Sequence, residues 1–196
     1  MKPLPISFYQ SQDVVSIAKN LLGKGLFTQF GCLTGGIIIE TEAYAGITDR
    51  ASHAYSGRRT ARTEVMYGPG GRAYVYFCYG MHYLLNAVTG PKNIPHAVLI
   101  RAILPTEGIE TMLERRKKKK LDPTLCNGPG TLCSALGITK EQNGIAINHS
   151  PLIICDLKIP FREEEIEATK RIGVDYAGPD ASLPYRFLLK MTKALP

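Results

Sequence analysis

Ile37-Ile38-Ile39-Glu40-Thr41-Glu42-Ala43-Tyr44 is the stretch on which the reading of the chain turns. Three β-branched residues in succession read as a buried strand. Two carboxylates follow, two positions apart, and then an aromatic ring. On extended backbone residues i and i+2 share a face, so Glu40, Glu42 and Tyr44 point the same way. A purely structural strand has little reason to place two carboxylates and a ring on one face directly after an apolar run, whereas a site has such a reason. The other reading is an edge strand that runs out into solvent.

Upstream, Ser11 to Leu22 carries apolar residues at Val14, Val15, Ile17, Ala18, Leu21 and Leu22, the spacing of an amphipathic helix closed by Gly23. Gly25 to Phe30 and Cys32 to Glu40 read as two strands about Gly31, with Gly35-Gly36 as a bulge. Downstream, the loop from Ala45 to Gly57 carries His53. It leads into Arg58-Arg59-Thr60-Ala61-Arg62-Thr63, whose arginines and hydroxyls suit phosphate oxygens. A solvated loop is the alternative there. Ala73 to Tyr79 is a strand with Tyr74 and Tyr76 on one face. It ends at Gly80-Met81, and the apolar run to Val88 encloses Asn86. Such a strand is either plain core or a set of rings for stacking on bases, with a wedge at its tip.

His96 to Leu104 is a further apolar strand with Arg101 in its interior. An unpaired buried charge is costly, so this arginine calls for a carboxylate partner. Glu107 to Arg116 reads as a helix. Arg115 to Lys120, six cations in a row, reads as a solvated face. Cys126-Asn127-Gly128-Pro129-Gly130 is a turn opening a helix from Thr131 to Leu136. Such a turn can bind phosphate through backbone N–H groups, but it lacks the Lys-Ser/Thr ending of a nucleotide-hydrolysing loop. Ala146-Ile147 and Leu152 to Cys155 are short strands, Glu163 to Lys170 a helix with an acidic start, and Tyr185 to Lys190 a last strand.

The chain has 196 residues, 44% of them hydrophobic, which suits one globular α+β domain over residues 1–196 able to bury a core without staples. Its formal net charge of +7 favours an anionic partner, nucleic acid first and an acidic membrane surface second. Five cysteines without a Cys-x-x-Cys pair read as reduced thiols of a cytoplasmic protein. The four histidines have no metal-ligand spacing. No apolar stretch approaches the roughly 18 residues of a membrane span, and the first residues lack the apolar run of a signal peptide.

Glu42 with Arg101 can hold and activate a water, the carboxylate acting as general base. Rings at Tyr44 and Tyr76 can sandwich a flat substrate. With a basic surface, these suggest chemistry on a base turned out of a duplex. The sequence resembles the alkyladenine (3-methyladenine) DNA glycosylase family in its compact bacterial form. The resemblance rests on Glu-Thr-Glu-Ala-Tyr at 40–44, Asp49 to His53, Arg62 to Met66, Tyr-Val-Tyr-Phe-Cys-Tyr-Gly-Met at 74–81 and Asn86. It continues through Leu-Ile-Arg-Ala at 99–102, Cys-Asn-Gly-Pro-Gly at 126–130 and Arg-Ile-Gly-Val at 171–174.

The resemblance implies a curved, mostly antiparallel sheet flanked by helices, no metal or organic cofactor, and a monomer acting on damaged double-stranded DNA. Glu42 would deprotonate a water aimed at the sugar C1′, with Arg101 and a backbone carbonyl near Ile172 holding it. Tyr44, His53 and Tyr76 would enclose the flipped base, and Asn86 at the pocket floor would disfavour guanine. Tyr79 would fill the hole left in the duplex, flanked by Met66 and Met81, while Arg58, Thr60 and Arg62 would grip phosphates. Water, not a protein amine, would displace the base, whether 3-methyladenine, hypoxanthine or ethenoadenine. Thr131 stands where the family pattern has a basic residue, so that phosphate contact is not carried over. Glu40 takes a supporting hydrogen-bonding or ion-pairing part. Two other readings are a non-catalytic nucleic-acid-binding domain, which has no need of the Glu42/Arg101 pair, and a metal-dependent nuclease, which needs a carboxylate or histidine cluster.

Overall fold

The structure is a computed structural model that describes residues 2–190. Ten strands form one antiparallel sheet: β1 (Lys2–Pro3), β2 (Gly25–Phe30), β3 (Cys32–Tyr44), β4 (Ala73–Cys78), β5 (His82–Thr89), β6 (His96–Glu107), β7 (Asn148–His149), β8 (Leu152–Asp156), β9 (Ile166–Thr169) and β10 (Arg186–Leu189). The main order is β1-β8-β2-β3-β6-β5-β4. β10 joins the far end of β3 and carries β9, and β7 pairs with β8. The fold is therefore the expected α+β architecture with a curved antiparallel sheet.

β3 is the spine. Its first half pairs with β2, Glu40 to Glu42 pair with β10, and almost its whole length pairs with β6. Three helices cover one face: α1 (Val14–Leu21), α2 (Ile109–Arg115) and α3 (Pro129–Leu136). α1 starts at Asp13, whose carboxylate accepts from the Ser16 N–H. It buries Val14, Ile17, Ala18 and Leu21 against Ile38, Ala43, Ile100 and Ile103. α3 adds Leu132, Cys133, Ala135 and Leu136 to the same core.

The register of β3 on β6 explains the change of character after Ile39. Ile38 faces Ile103 and Glu40 faces Ala102, so Ile39 is an extra residue on β3. Thr41 then faces Ile100, so Arg101 is an extra residue on β6. Each insertion reverses the alternation of its own strand, and together they restore the register. Ile38 points into the helix-covered core, and so, three and five residues later, do Thr41 (its hydroxyl donating to the Ala18 carbonyl) and Ala43. Glu40, Glu42 and Tyr44 are thereby released to the opposite face. The Gly35-Gly36 irregularity lies where expected, and those at Ile39 and Arg101 add to it.

Two expectations fail. Glu163–Glu165 is a single 3-10 turn, and Ile166–Thr169 is strand β9, not the second half of a helix. Register with β10, Arg186 opposite Thr169 through Leu189 opposite Ile166, outweighs the helical preference of the glutamates. The basic run is also not simply solvated. Arg115 donates to the Ala135 and Phe30 carbonyls and to the Thr34 hydroxyl, tying the end of α3 to the β2–β3 hairpin. Among the described residues no helix is long and apolar enough to cross a membrane.

Candidate active site

The face of the sheet away from the helices carries a cavity of about 460 Å³. That volume lies within the roughly 300–1,000 Å³ of small-molecule sites. Its floor is built from two rows across the strands. One row is Leu99, Asn86 and Tyr74, with Glu42 beside Leu99 on β3; the next is Arg101, Leu84 and Tyr76. The period of two places all of them on one face, while Val98, Ile100, Leu85, Ala87, Ala73 and Val75 fill the helix-covered core.

Glu42 is fully buried. Its Oε1 accepts from the Ile172 N–H at 2.8 Å and pairs with Arg101 Nη1 at 3.2 Å. Its Oε2 accepts from the Tyr44 hydroxyl at 2.8 Å. These three partners all line the cavity, so the carboxylate stands directly behind its wall. Burial, and then the neighbouring Glu42 charge, hold the Tyr44 hydroxyl well above its ordinary range, so it remains a donor. Arg101 also donates from Nε to Glu40 Oε1 at 2.8 Å, and Arg186 Nε reaches the same oxygen at 2.6 Å. The carboxylate partner expected for Arg101 is thus a pair. Glu40 acts by holding two guanidinium groups.

The Arg101 bulge is supported from below. Its carbonyl accepts from the Gly128 N–H, Ile103 donates to the Cys126 carbonyl, and Ala102 bridges to Asn127. The Gly-Pro-Gly turn therefore spends one of its N–H groups on β6, and Thr131 turns its hydroxyl onto the Gly128 carbonyl. In this structure the turn holds the catalytic candidate Arg101 in place.

His53 closes one side of the cavity. Its ring packs edge-on against Tyr76 at 4.7 Å, and Nδ1 lies 2.8 Å from the Tyr74 hydroxyl. Burial, then the nearby Arg62 and Arg58, push its pKa down to about 4, so the imidazole is neutral at physiological pH. Asn86 is buried on the floor and donates to the Tyr74 carbonyl. Arg62 lies over the Tyr76 ring at 4.8 Å and lines the cavity, while Arg58 and Thr60 are exposed on the neighbouring loop.

Tyr79 is 83% exposed and Met81 71% exposed, at the tip of the β4–β5 hairpin. Tyr79 and Gly80 both have positive φ, 51° and 69°, and the Met81 N–H donates to the Cys78 carbonyl. A large side chain in the left-handed region is strained by about 1–3 kcal/mol, and such strain gathers at functional sites. Met66 does not share this place. It is only 2% exposed and packs with Ala54, Tyr67, Tyr74, Val88 and Ala97, because its short 3-10 turn points it inward beneath the cavity. It is not a surface flank of Tyr79.

One pair escaped the sequence reading. Arg171 is buried and forms a two-pronged ion pair with Asp49, with Nη2–Oδ1 at 2.9 Å. It also donates to the Ala43 and Asp180 carbonyls, and its guanidinium lies 4.8 Å from the Tyr44 ring centre and 5.3 Å from that of Tyr185. Asp49 in turn accepts from the Ala45 and Ala51 N–H groups. The pair joins the His53 loop to the segment that places Ile172 on Glu42. Both residues lie in motifs the sequence singled out, but nothing local indicates that they meet. Among the described residues no cluster of histidines, cysteines or carboxylates could hold a metal.

A profile of the methylpurine-DNA glycosylase family matches residues 7–193. A Chlamydia pneumoniae protein named as a candidate 3-methyladenine DNA glycosylase is 52% identical over 184 residues, covering 93% of this chain and 92% of its own. Proteins with the same name from Chlamydia felis (50% identical, 97% and 98% covered) and Clostridium acetobutylicum (47%, 95% and 94%) are also similar.

Proposed function

The chain belongs to the methylpurine-DNA glycosylase family, and on that premise we propose that it excises an alkylated or deaminated purine from double-stranded DNA by hydrolysis, leaving an abasic site. The observation that carries this reading is the Glu42 carboxylate. It is oriented by Tyr44, Arg101 and the Ile172 N–H behind an aromatic-walled cavity on a basic protein.

The damaged nucleotide turns out of the duplex into the cavity, and Tyr79 with Met81 occupies the space it leaves. Tyr44 faces His53 and Tyr76 across the base. Asn86 crowds a 2-amino group at the floor, which guanine has and hypoxanthine lacks. Neutral His53 brings no positive charge against a cationic base such as 3-methyladenine.

Glu42 deprotonates a water aimed at C1′. Its Oε1 accepts from the Ile172 N–H and pairs with the Arg101 guanidinium, whereas Oε2 accepts from the Tyr44 hydroxyl and has no cation beside it among the described residues. Oε2, the oxygen not paired with a guanidinium, is the one that takes the proton. Arg101, held by Glu40 and by the Gly128 turn, fixes the carboxylate in place. The C1′–N bond breaks with its electrons leaving on the base, and the water oxygen bonds to C1′. Arg58, Thr60 and Arg62 contact phosphates from the loop beside the cavity.

The test is base release from duplexes carrying 3-methyladenine, hypoxanthine or ethenoadenine, in chelator. Free base and an intact abasic strand are expected, with full activity. Strand scission without a free base, or loss of activity in chelator, would contradict the reading.

A further inference from the structure

Eleven large hydrophobic side chains are exposed among the described residues, and four of them, Phe77, Tyr79, Ile172 and Tyr176, stand around the mouth of the cavity that Glu42 backs. Exposed apolar groups gathered at a cavity mouth mark contact surface more than scattered ones do. Tyr79 and Phe77 belong to the hairpin of β4 and β5. Ile172 and Tyr176 come from the segment rooted by buried Arg171.

That segment combines a clamped base with an open tip. Arg171 is held by Asp49 and two carbonyls, and buried Val174 and Ala177 pack with Ala51. Between them Gly173 has φ +73°, and a β-carbon there would meet nothing within 4 Å. The chain uses glycine at this point to turn from the clamp out to solvent. Tyr176 follows, 70% exposed, with its hydroxyl donating to the Ala51 carbonyl at 3.1 Å. The anchor reaches the loop that carries His53 and biases the ring towards the mouth. An anchored ring with a free face adds little to the fold but suits packing against a nucleotide.

We propose that Tyr176 is a further aromatic contact to DNA at the cavity mouth, packing against the sugar of the extruded nucleotide, whose base faces are taken by Tyr44 and by His53 with Tyr76. The proposal rests on the base-excision reading above and adds a residue outside the Glu42 machinery. Because the contact forms only with a nucleotide that has left the helix, it favours damaged over intact duplex.

The experiment compares the affinities of the full chain and Tyr176→Ala for a hypoxanthine duplex and for the same duplex undamaged. Single-turnover base release is followed in parallel. Losing an aromatic contact to one nucleotide, at the low end of about 1–3 kcal/mol, predicts a loss of about fivefold to tenfold for the hypoxanthine duplex. The undamaged duplex should bind within about twofold of wild type. Tyr176→Phe, which keeps the ring and loses the hydroxyl anchor, should fall between. Equal affinities for wild type and Tyr176→Ala, or equal losses on both duplexes, would overturn the proposal. A wild type that releases no base defeats the base-excision reading alone, since the two affinity measurements still decide the role of Tyr176.

Discussion

At the residue scale, the sequence made Arg101 conspicuous because a cation inside an apolar strand requires an acid. Glu42 was the nearest acid with a second reason to be there. What it left hidden was Arg171 with Asp49, 122 positions apart. No local pattern announces an ion pair closed by tertiary structure. Breaking such a buried pair from one side leaves an uncompensated charge.

His53 gives a sharper consequence. Its folded pKa, about 4, lies below the ordinary value of 6.5, so the unfolded chain takes up the proton first. Stability therefore falls as pH drops from about 6.5 towards 4, by at most about 3 kcal/mol from this group, and the penalty is constant below that. Half-buried His96 is shifted the same way and adds to the trend. Urea unfolding at pH 7 and pH 4.5 should show a smaller loss for His53→Phe than for wild type. An identical loss would mean that His53 is protonated freely in the fold.

At the scale of elements, most strands and all three helices follow from apolar periodicity and from glycine punctuation. The compensating insertions at Ile39 and Arg101 do not, because neither carries glycine or proline. They are set by how β3 and β6 fit each other, and they decide which face receives the acids. The segment Glu163–Lys170 misleads for the opposite reason: good helix formers line up as a turn and an edge strand because β10 is there to pair with. The Gly36 position is legible and testable. A β-carbon there would run into the Leu104 carbonyl and backbone, not into a side chain that could move. Gly36→Ala should therefore destabilise the protein by on the order of 3 kcal/mol, measured as a lowered denaturation midpoint. A midpoint unchanged from wild type would show that β3 and β6 can separate there at little cost.

At the scale of the whole molecule, the net charge of +7 indicated a polyanionic partner but not where it would lie. The structure sets Arg58, Thr60 and Arg62 on one loop beside the cavity, with Arg59 paired to Glu64. Each phosphate neutralised contributes about −0.9 to the slope of log affinity against log salt. Arg58→Ala should lower that slope by about one while leaving the preference for damaged over intact duplex unchanged. A change in the preference with no change in slope would assign Arg58 to reading the base instead of gripping the backbone.

The proposed function stands on one oriented carboxylate that turns water against the glycosidic bond of a nucleotide held in the cavity. Glu42→Gln keeps the size and the hydrogen-bond acceptor of the side chain and removes the base. With a hypoxanthine duplex, single-turnover release should collapse by at least about 100-fold, while affinity for the duplex stays near that of wild type. Release within a few-fold of wild type would contradict the account.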